Sequence, residues 1–441
     1  MSGLWKNEQE WQSGNTLETL TNFVSLLDSP LKYVIHETFM NTDMFTGGGC
    51  FDHYQWWLLA WLQAYSVEPN LSYLYRAVDI HDFVTVNAWN DSICGGGVQW
   101  CRNNTYKNAI TNELFLLSNM RLHPYASLLG RAPTYFLDWA LKQWQWFEAS
   151  GLINGDNLIN DGLSSSNQAS SKSHKGNMDR SRGGTCVNNN GTTWTYNQGV
   201  ILTGLALLAN VTRNVTLLDF AQKIADATIQ RLIYSDRILK EPCEPNCNDD
   251  QKLFKGIFVR HLAYLIPYLT DAAHIKQYVS FIQQNAETVL TSRRCEIDGL
   301  YGVIWSNQSF NSCDSSRNTS STSAAWDLFI AAAKTKPQSS MSSSNWTWLG
   351  LGNCMDDKGA YMPNFNKINV TETECRTTAE QDQGAVAYDH QLGCPGYQYC
   401  RIRTLSDPHH GPPGWSYENN TATNVTRTNK LPVTSCYLRV V

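Results

Sequence analysis

The sequence predicts a mainly α protein, an (α/α)6 toroid followed by a small α+β disulfide-rich module, and three observations predict it. Up to about residue 336, apolar residues recur at helical spacing in long blocks separated by Gly/Asn/Ser-rich loops. Strand signals are nearly absent over that stretch. After KTKPQSSMSSSN the chain becomes rich in Thr, Asn and Gly, loses helical periodicity, and carries five of its 13 cysteines. Residues 1–336 are therefore expected to form the helical domain and residues 346–441 the module.

In chain order, the periodicity predicts helices near 5–28, 52–65, 71–87, 105–122, 124–150, 194–210, 214–233, 249–269, 271–290 and 322–335, with a short one near 30–40. Ten or eleven helices joined head to tail imply antiparallel hairpins closing into a ring; an irregular bundle or solenoid is the other arrangement such a pattern permits. The loops at 154–193 and 236–248 are longer than simple connections and so are candidate functional surface.

Composition excludes some functions. The 441 residues carry 34 Lys+Arg against 39 Asp+Glu, a net charge of −5, so no basic field is available for nucleic acid. Charged residues make up 17% of the chain and aromatics 12%, with 16 Trp and 20 Tyr. Flat rings stack well on sugar faces, although most in any chain serve packing. No apolar run reaches the ~18 residues of a transmembrane segment. The start MSGLWKNEQE lacks the apolar core of a signal peptide, so a secretory leader is expected to have been removed or replaced.

A secreted or cell-surface location follows from two patterns. Asn-x-Ser/Thr sequons occur at Asn70, Asn90, Asn103, Asn190, Asn210, Asn214, Asn307, Asn318, Asn345, Asn369, Asn419 and Asn424. Cysteines fall in short local spacings, which predict the bridges Cys94–Cys101, Cys243–Cys247 and Cys295–Cys313. CEPNC lacks the paired Cys/His grouping of a zinc site, and no metal or cofactor is expected. Cys50 and Cys186 flank motif loops and are expected to join, and the odd count leaves one thiol free or intermolecular.

The most informative stretch is GGGCFDHYQWWLLAWLQAY, residues 47–65. Trp57, Leu58, Trp61, Leu62 and Tyr65 mark a buried helical face, and just before them a Gly-rich loop delivers Asp52 and His53. With GGGVQWCRNNTYKNAITNELFLLSNMRLH, GLINGDNLINDGL and WTYNQGVILTGLALL in that order, and KGIFVRHLAYL and GLYGVIWS in support, residues 8–335 resemble glycoside hydrolase family 76, the endo-α-1,6-mannanases. The resemblance implies the (α/α)6 toroid, a groove for α-mannan or a related glycan, and a retaining mechanism without metal.

Retaining glycosidases need one carboxylate as nucleophile and a second group that donates and then recovers a proton. In the family, two consecutive aspartates before x-x-Trp-Trp supply both; counted back from Trp56 and Trp57, the positions here are Asp52 and His53. Asp52 is thus the expected nucleophile. Three readings stand for the altered second position: His53 is the acid/base, another carboxyl has taken the role, or the site binds glycan without cleaving it. The expected sugar-binding wall is Asn112, Glu113, Asp161, Tyr196, Asn197 and Gln198, with Trp56, Trp100 and Trp194 as stacking platforms. Helix capping or core hydrogen bonding is the alternative for Asn112 and Asn197, and Lys107 is expected to pair with an acidic neighbour.

The C-terminal module looks like a PAN/apple-type domain, with Cys354 near its start, Cys375 on a helix, Cys400 on a strand and Cys436 at its end. That likeness implies the bridges Cys354–Cys436 and Cys375–Cys400 and a protein or glycan partner, and it leaves Cys394 extra. The GGG runs are not followed by Gly-Lys-Ser/Thr, so they are not phosphate loops. Asp356–Asp357 and Asp389–His390 read as loop charges.

Overall fold

A computed structural model describes residues 3–27, 29–43, 46, 48–165, 186–307, 313 and 315–335, and the backbone of eight strands between 346 and 439. Backbone contacts divide the chain into two compact units, one of residues 1–23 and 31–336, the other of 337–441 with the short segment 24–30.

The first unit is a helical toroid. Its helices are α1 (Glu10–Leu27), α2 (Lys32–Asn41), α3 (Phe51–Val67), α4 (Leu71–Ala88), α5 (Ala109–Leu122), α6 (Tyr135–Ala149), α7 (Thr195–Thr212), α8 (Thr216–Arg231), α9 (Phe254–Leu265), α10 (Ala272–Ser292) and α11 (Thr319–Thr335). From α3 onward each odd-numbered helix packs on the next odd-numbered one, forming an inner ring. The helices α4, α6, α8 and α10 lie outside it. The ring closes through α1: Thr19 Oγ1 donates to Asp327 of α11 at 3.0 Å, and Gly14 lies against the Trp57 indole of α3.

Sequence chemistry explains where these helices begin. Asn70, Asn108 and Asp271 each cap a helix by accepting a hydrogen bond from a backbone N–H two or three residues on. Close approach between inner helices needs glycine. A Cβ on Gly256 of α9 would stand 2.4 Å from Cα of Ala324 on α11, inside any real contact distance.

Some expected boundaries move. The helix expected at 124–150 begins only at Tyr135, because Gly130 turns the chain with φ +67° and Pro133 follows. The helix expected from 105 starts at Ala109, since the backbone before it is taken up in loop bonds, Tyr106 with Trp100 and Lys107 and Asn108 with the segment Asp161–Leu163. The block at 249–269 is α9 flanked by two 3-10 turns, Gln251–Leu253 and Ile266–Tyr268. Before residue 336 the only described strands are β1 (Leu163–Ser165) and β2 (Cys186–Asn188), a short antiparallel pair.

Two disulfides correct the expected pairing. Cys50 joins Cys101 and Cys94 joins Cys186, so neither Cys94–Cys101 nor Cys50–Cys186 forms. Local spacing misled because the chain after Cys94 pairs back on Ala88–Asn90 and is tied at Val98 to Asn112, while Cys101 sits opposite Cys50 in an isolated antiparallel bridge. Cys243–Cys247 and Cys295–Cys313 form as expected.

The second unit holds a six-stranded antiparallel sheet. Its strands are β3 (Trp346–Leu351), β5 (Asn364–Ile368), β6 (Ala385–Leu392), β7 (Gln398–Thr404), β8 (Ser416–Glu418) and β10 (Thr434–Arg439), in the order β3-β10-β6-β7-β5-β8. Two further strands, β4 (Cys354–Met355) and β9 (Arg427–Thr428), pair separately. The Cys354–Cys436 and Cys375–Cys400 bridges and the helix expected around Cys375 lie outside the described residues and side chains.

Candidate active site

Asp52 enters α3 in its first turn. Cys50 caps the helix in extended conformation, its disulfide to Cys101 pins the approach, and Phe51 N–H donates to the Trp100 carbonyl at 2.7 Å. The same residue reaches Asp52 through its side chain, with Trp100 Nε1 3.3 Å from Asp52 Oδ2. Asp52 Oδ1 is buried and has no hydrogen-bond partner among the described residues. Burial raises the Asp52 carboxyl above its usual value, while the adjacent His53 and the Trp100 N–H work against that rise. The residues behind act as anchors: Trp57 and Trp61 stack at 5.6 Å in the core, and Trp61 stacks on Tyr73 at 5.8 Å.

Consecutive residues on a helix point about 100° apart, and here they part company. Asp52 turns to Trp100, while the half-buried His53 ring lies 6.2 Å from the Trp11 ring of α1. Trp11 also packs on Trp56 at 6.0 Å and on Phe254 of α9 at 6.5 Å. Phe254 in turn stacks on Tyr196 of α7 at 3.7 Å. The N-terminal turns of α1, α3, α7 and α9 thus converge, each bringing a positive dipole end to the same region.

The fifth contributor is the loop before β1. Asp161 accepts from the Tyr106 hydroxyl through Oδ2 and from Trp194 Nε1 at 3.1 Å through Oδ1. Asn189 Nδ2 supports Tyr106 at 2.8 Å. A Cβ at Gly162 would fall 2.2 Å from the Tyr106 oxygen, so only glycine lets this tyrosine reach Asp161. The Tyr196 phenol stands within electrostatic reach of Asp161, Asp52, Glu113 and Asp250, which with its burial hold its proton far above the usual phenol range. It remains a hydrogen-bond donor at any physiological pH.

The expected sugar wall divides. Trp100, Asp161, Trp194 and Tyr196 are partly exposed around this cluster. Trp56 is not a stacking platform: at 1% exposure it is covered by Trp11 and serves as core. Asn112 spends its amide on Val98 and Asn108, and Gln198 spends its own on Ile159 and Trp194, so both hold loops onto helices. Glu113 and Asn197 are fully buried, and neither makes a hydrogen bond within the protein. Burial alone drives the Glu113 carboxyl well above its usual range. Lys107 pairs with no carboxylate among the described residues; it donates to the carbonyls of Gly97 at 2.5 Å and Asn90 at 3.3 Å.

Two participants escaped sequence reasoning. Trp11 stands alone in its helix with no motif around it, and Asp250 read as a helix start. Asp250 Oδ1 accepts from Trp11 Nε1 at 2.8 Å and Gln12 Nε2 at 2.9 Å, a contact across 239 residues that no local pattern announces.

Comparison with known proteins places this geometry in context. The model of glycosyl hydrolase family 76 matches residues 35–345. A putative mannan endo-1,6-alpha-mannosidase of Schizosaccharomyces pombe is 31% identical over 234 residues, 50% of this chain and 47% of that protein. The mannan endo-1,6-alpha-mannosidase DCW1 of Candida glabrata is 27% identical over 296 residues, 58% of each chain. The chain thus spans about half the length of the curated relatives it matches. The crystal structure of an α-1,6-mannanase from a Salegentibacter species superposes with a TM-score of 0.63 at 21% identity, over 76% of this chain and 94% of that one. An inactive variant of that mannanase, with two consecutive aspartates replaced, is recorded in complex with α-1,6-mannotriose.

Proposed function

From a chain that belongs to glycosyl hydrolase family 76, we propose a secreted retaining glycoside hydrolase or transglycosylase acting on α-1,6-linked mannan. The observation that carries the reading is Asp52: a carboxylate in the first turn of an inner helix, held at one oxygen by Trp100 and unbonded at the other. In this reading Asp52 attacks the anomeric carbon while the glycosidic oxygen takes a proton and leaves. Water, or a sugar hydroxyl in the transglycosylase case, then gives up a proton and displaces Asp52. Trp100 and Trp194 offer rings to the sugar, and Asp161 and Tyr196 offer hydrogen bonds to its hydroxyls.

Secretion is supported by four disulfides among the described residues and by sequons whose eight described asparagines, 70, 90, 103, 190, 210, 214, 307 and 318, are none of them buried. Among the described residues no helix is long and apolar enough to cross a membrane. Residues 346–441 then serve as an apple-like attachment module for a protein or glycan partner.

A second reading rests on one observation, the histidine at the position where the family pattern has its second aspartate. It makes the chain a mannan-binding protein that retains the site without turnover. Incubation with linear α-1,6-mannan and product analysis separates the two. Wild type should release short oligosaccharides with retained anomeric configuration and Asp52→Asn none. Binding without product from wild type would establish the second reading.

A further inference from the structure

The family pattern leaves the proton donor unassigned, and the site contains a carboxyl that sequence motifs did not mark. Asp250 lies in the turn leading into α9, and its side chain does not cap that helix. Instead Trp11 and Gln12, from the first turn of α1, both donate to Oδ1. This holds the carboxyl in one orientation, and no described hydrogen bond engages Oδ2. The indole that holds it is the one packed against His53 and Trp56, one residue beyond Asp52.

Three other carboxyls share the surroundings of Tyr196, and their geometry decides among them. Asp52 is the nucleophile of the proposed mechanism. Glu113 is sealed from solvent. Asp161 has both oxygens engaged, by Tyr106 and Trp194. Asp250 is partly exposed and clamped at one oxygen, with no described hydrogen bond at the other. His53 is the remaining rival, and its Nδ1 is buried with no hydrogen-bond partner among the described residues to orient the ring.

We infer that Asp250 is the general acid/base of this site, acting from the α9 side on the bond that Asp52 attacks from α3. The inference rests on the hydrolase reading above. In the first half-reaction the Asp250 O–H proton passes to the glycosidic oxygen as that oxygen leaves C1 and an Asp52 oxygen bonds to it. In the second, Asp250 takes the proton of the incoming water or sugar hydroxyl as the C1–Asp52 bond breaks, which returns both carboxyls to their starting states. His53 then needs no proton role, and its replacement of an aspartate is no bar to turnover.

Asp250→Asn is a clean probe because the amide keeps an oxygen for the Trp11 and Gln12 donors, so a structural role is preserved while the transferable proton is lost. The variant should lose at least about a hundredfold in kcat on linear α-1,6-mannan. On an aryl α-1,6-mannotrioside with a leaving group of low pKa, which departs without protonation, the first step should proceed at near the wild-type rate. Azide should then accelerate turnover of Asp250→Ala by trapping the glycosyl-enzyme as a glycosyl azide. His53→Ala should stay within about tenfold of wild type on both substrates. Asp250→Asn cleaving mannan as fast as wild type, or His53→Ala showing the leaving-group dependence and azide rescue instead, overturns the assignment and leaves the hydrolase reading intact. A wild type that binds mannan and never cleaves it removes the hydrolase reading and this inference with it.

Discussion

The indole N–H of Trp100 lies 3.3 Å from Oδ2 of Asp52, and one disulfide, Cys50–Cys101, ties together the two segments that carry them. The proposed nucleophile and its donor are therefore held by a covalent link as well as by the hydrogen bond between them. This donor opposes the rise that burial imposes on the carboxyl.

Trp100→Phe removes that N–H and keeps the ring. A hydrogen bond to a charged group is worth about 1.5–3 kcal/mol, so kcat on mannan should fall by about 10- to 100-fold. The Asp52 carboxyl should also titrate higher, so the acidic limb of the pH–rate profile should move to higher pH. An unmoved limb would separate Trp100 from the charge on Asp52.

Peptide mapping without reduction should recover Cys50 linked to Cys101 and Cys94 linked to Cys186. Replacing Cys94 and Cys186 together by serine opens a loop of sequence separation 92. The loss should be about 2–4 kcal/mol in denaturant unfolding. Recovery of a Cys94–Cys101 peptide would contradict the arrangement of the whole loop around α5.

Glu241 is fully buried at the N-terminus of α7, where its carboxyl accepts from Thr195 N–H at 3.1 Å and from the Thr195 hydroxyl. Burial raises it from 4.5 to about 8, against the pull of those bonds. A carboxyl raised in the folded state binds its proton there while the unfolded chain has released it. The folded protein should therefore lose stability as pH rises from about 4.5 to 8, by at most about 1.4 kcal/mol per pH unit from this group. Glu241→Gln keeps an acceptor for Thr195 and should flatten this part of the stability profile, measured by urea midpoints at several pH values. A parallel slope in the variant would exclude Glu241 as its source.

Gly256→Ala places a methyl 2.4 Å from Cα of Ala324, where only backbone movement can relieve it. The α9–α11 crossing should open at a cost of about 1–3 kcal/mol, read as a lower urea midpoint with unchanged m-value. Since Phe254 starts the same helix and stacks on Tyr196, KM for mannan should rise as well. Wild-type stability in this variant would mean that the helices are further apart than described.

What the sequence determined by itself is what short range encodes. Helical periodicity identified outer helices such as α4 and α10 because each buries one face, and a side-chain cap, Asn70 or Asp271, marks where each begins. The motif FDHYQWW located the entry to α3, because a polar pair before a double tryptophan is a local pattern. The bridges Cys243–Cys247 and Cys295–Cys313 were legible for the same reason, each closing a short loop. Tertiary structure decided everything that depends on who meets whom across the ring. Trp56 became core because Trp11 arrives from α1, and Asn112 and Gln198 became loop ties because Val98 and Ile159 present open backbone groups to them. Cys94 met Cys186 because Cys101 is held opposite Cys50 and the chain between them pairs back on Ala88–Asn90, and Asp250 came to Trp11 because a ring of helices brings its last members back to its first. Such partners are set by long-range packing, which no window of local sequence contains.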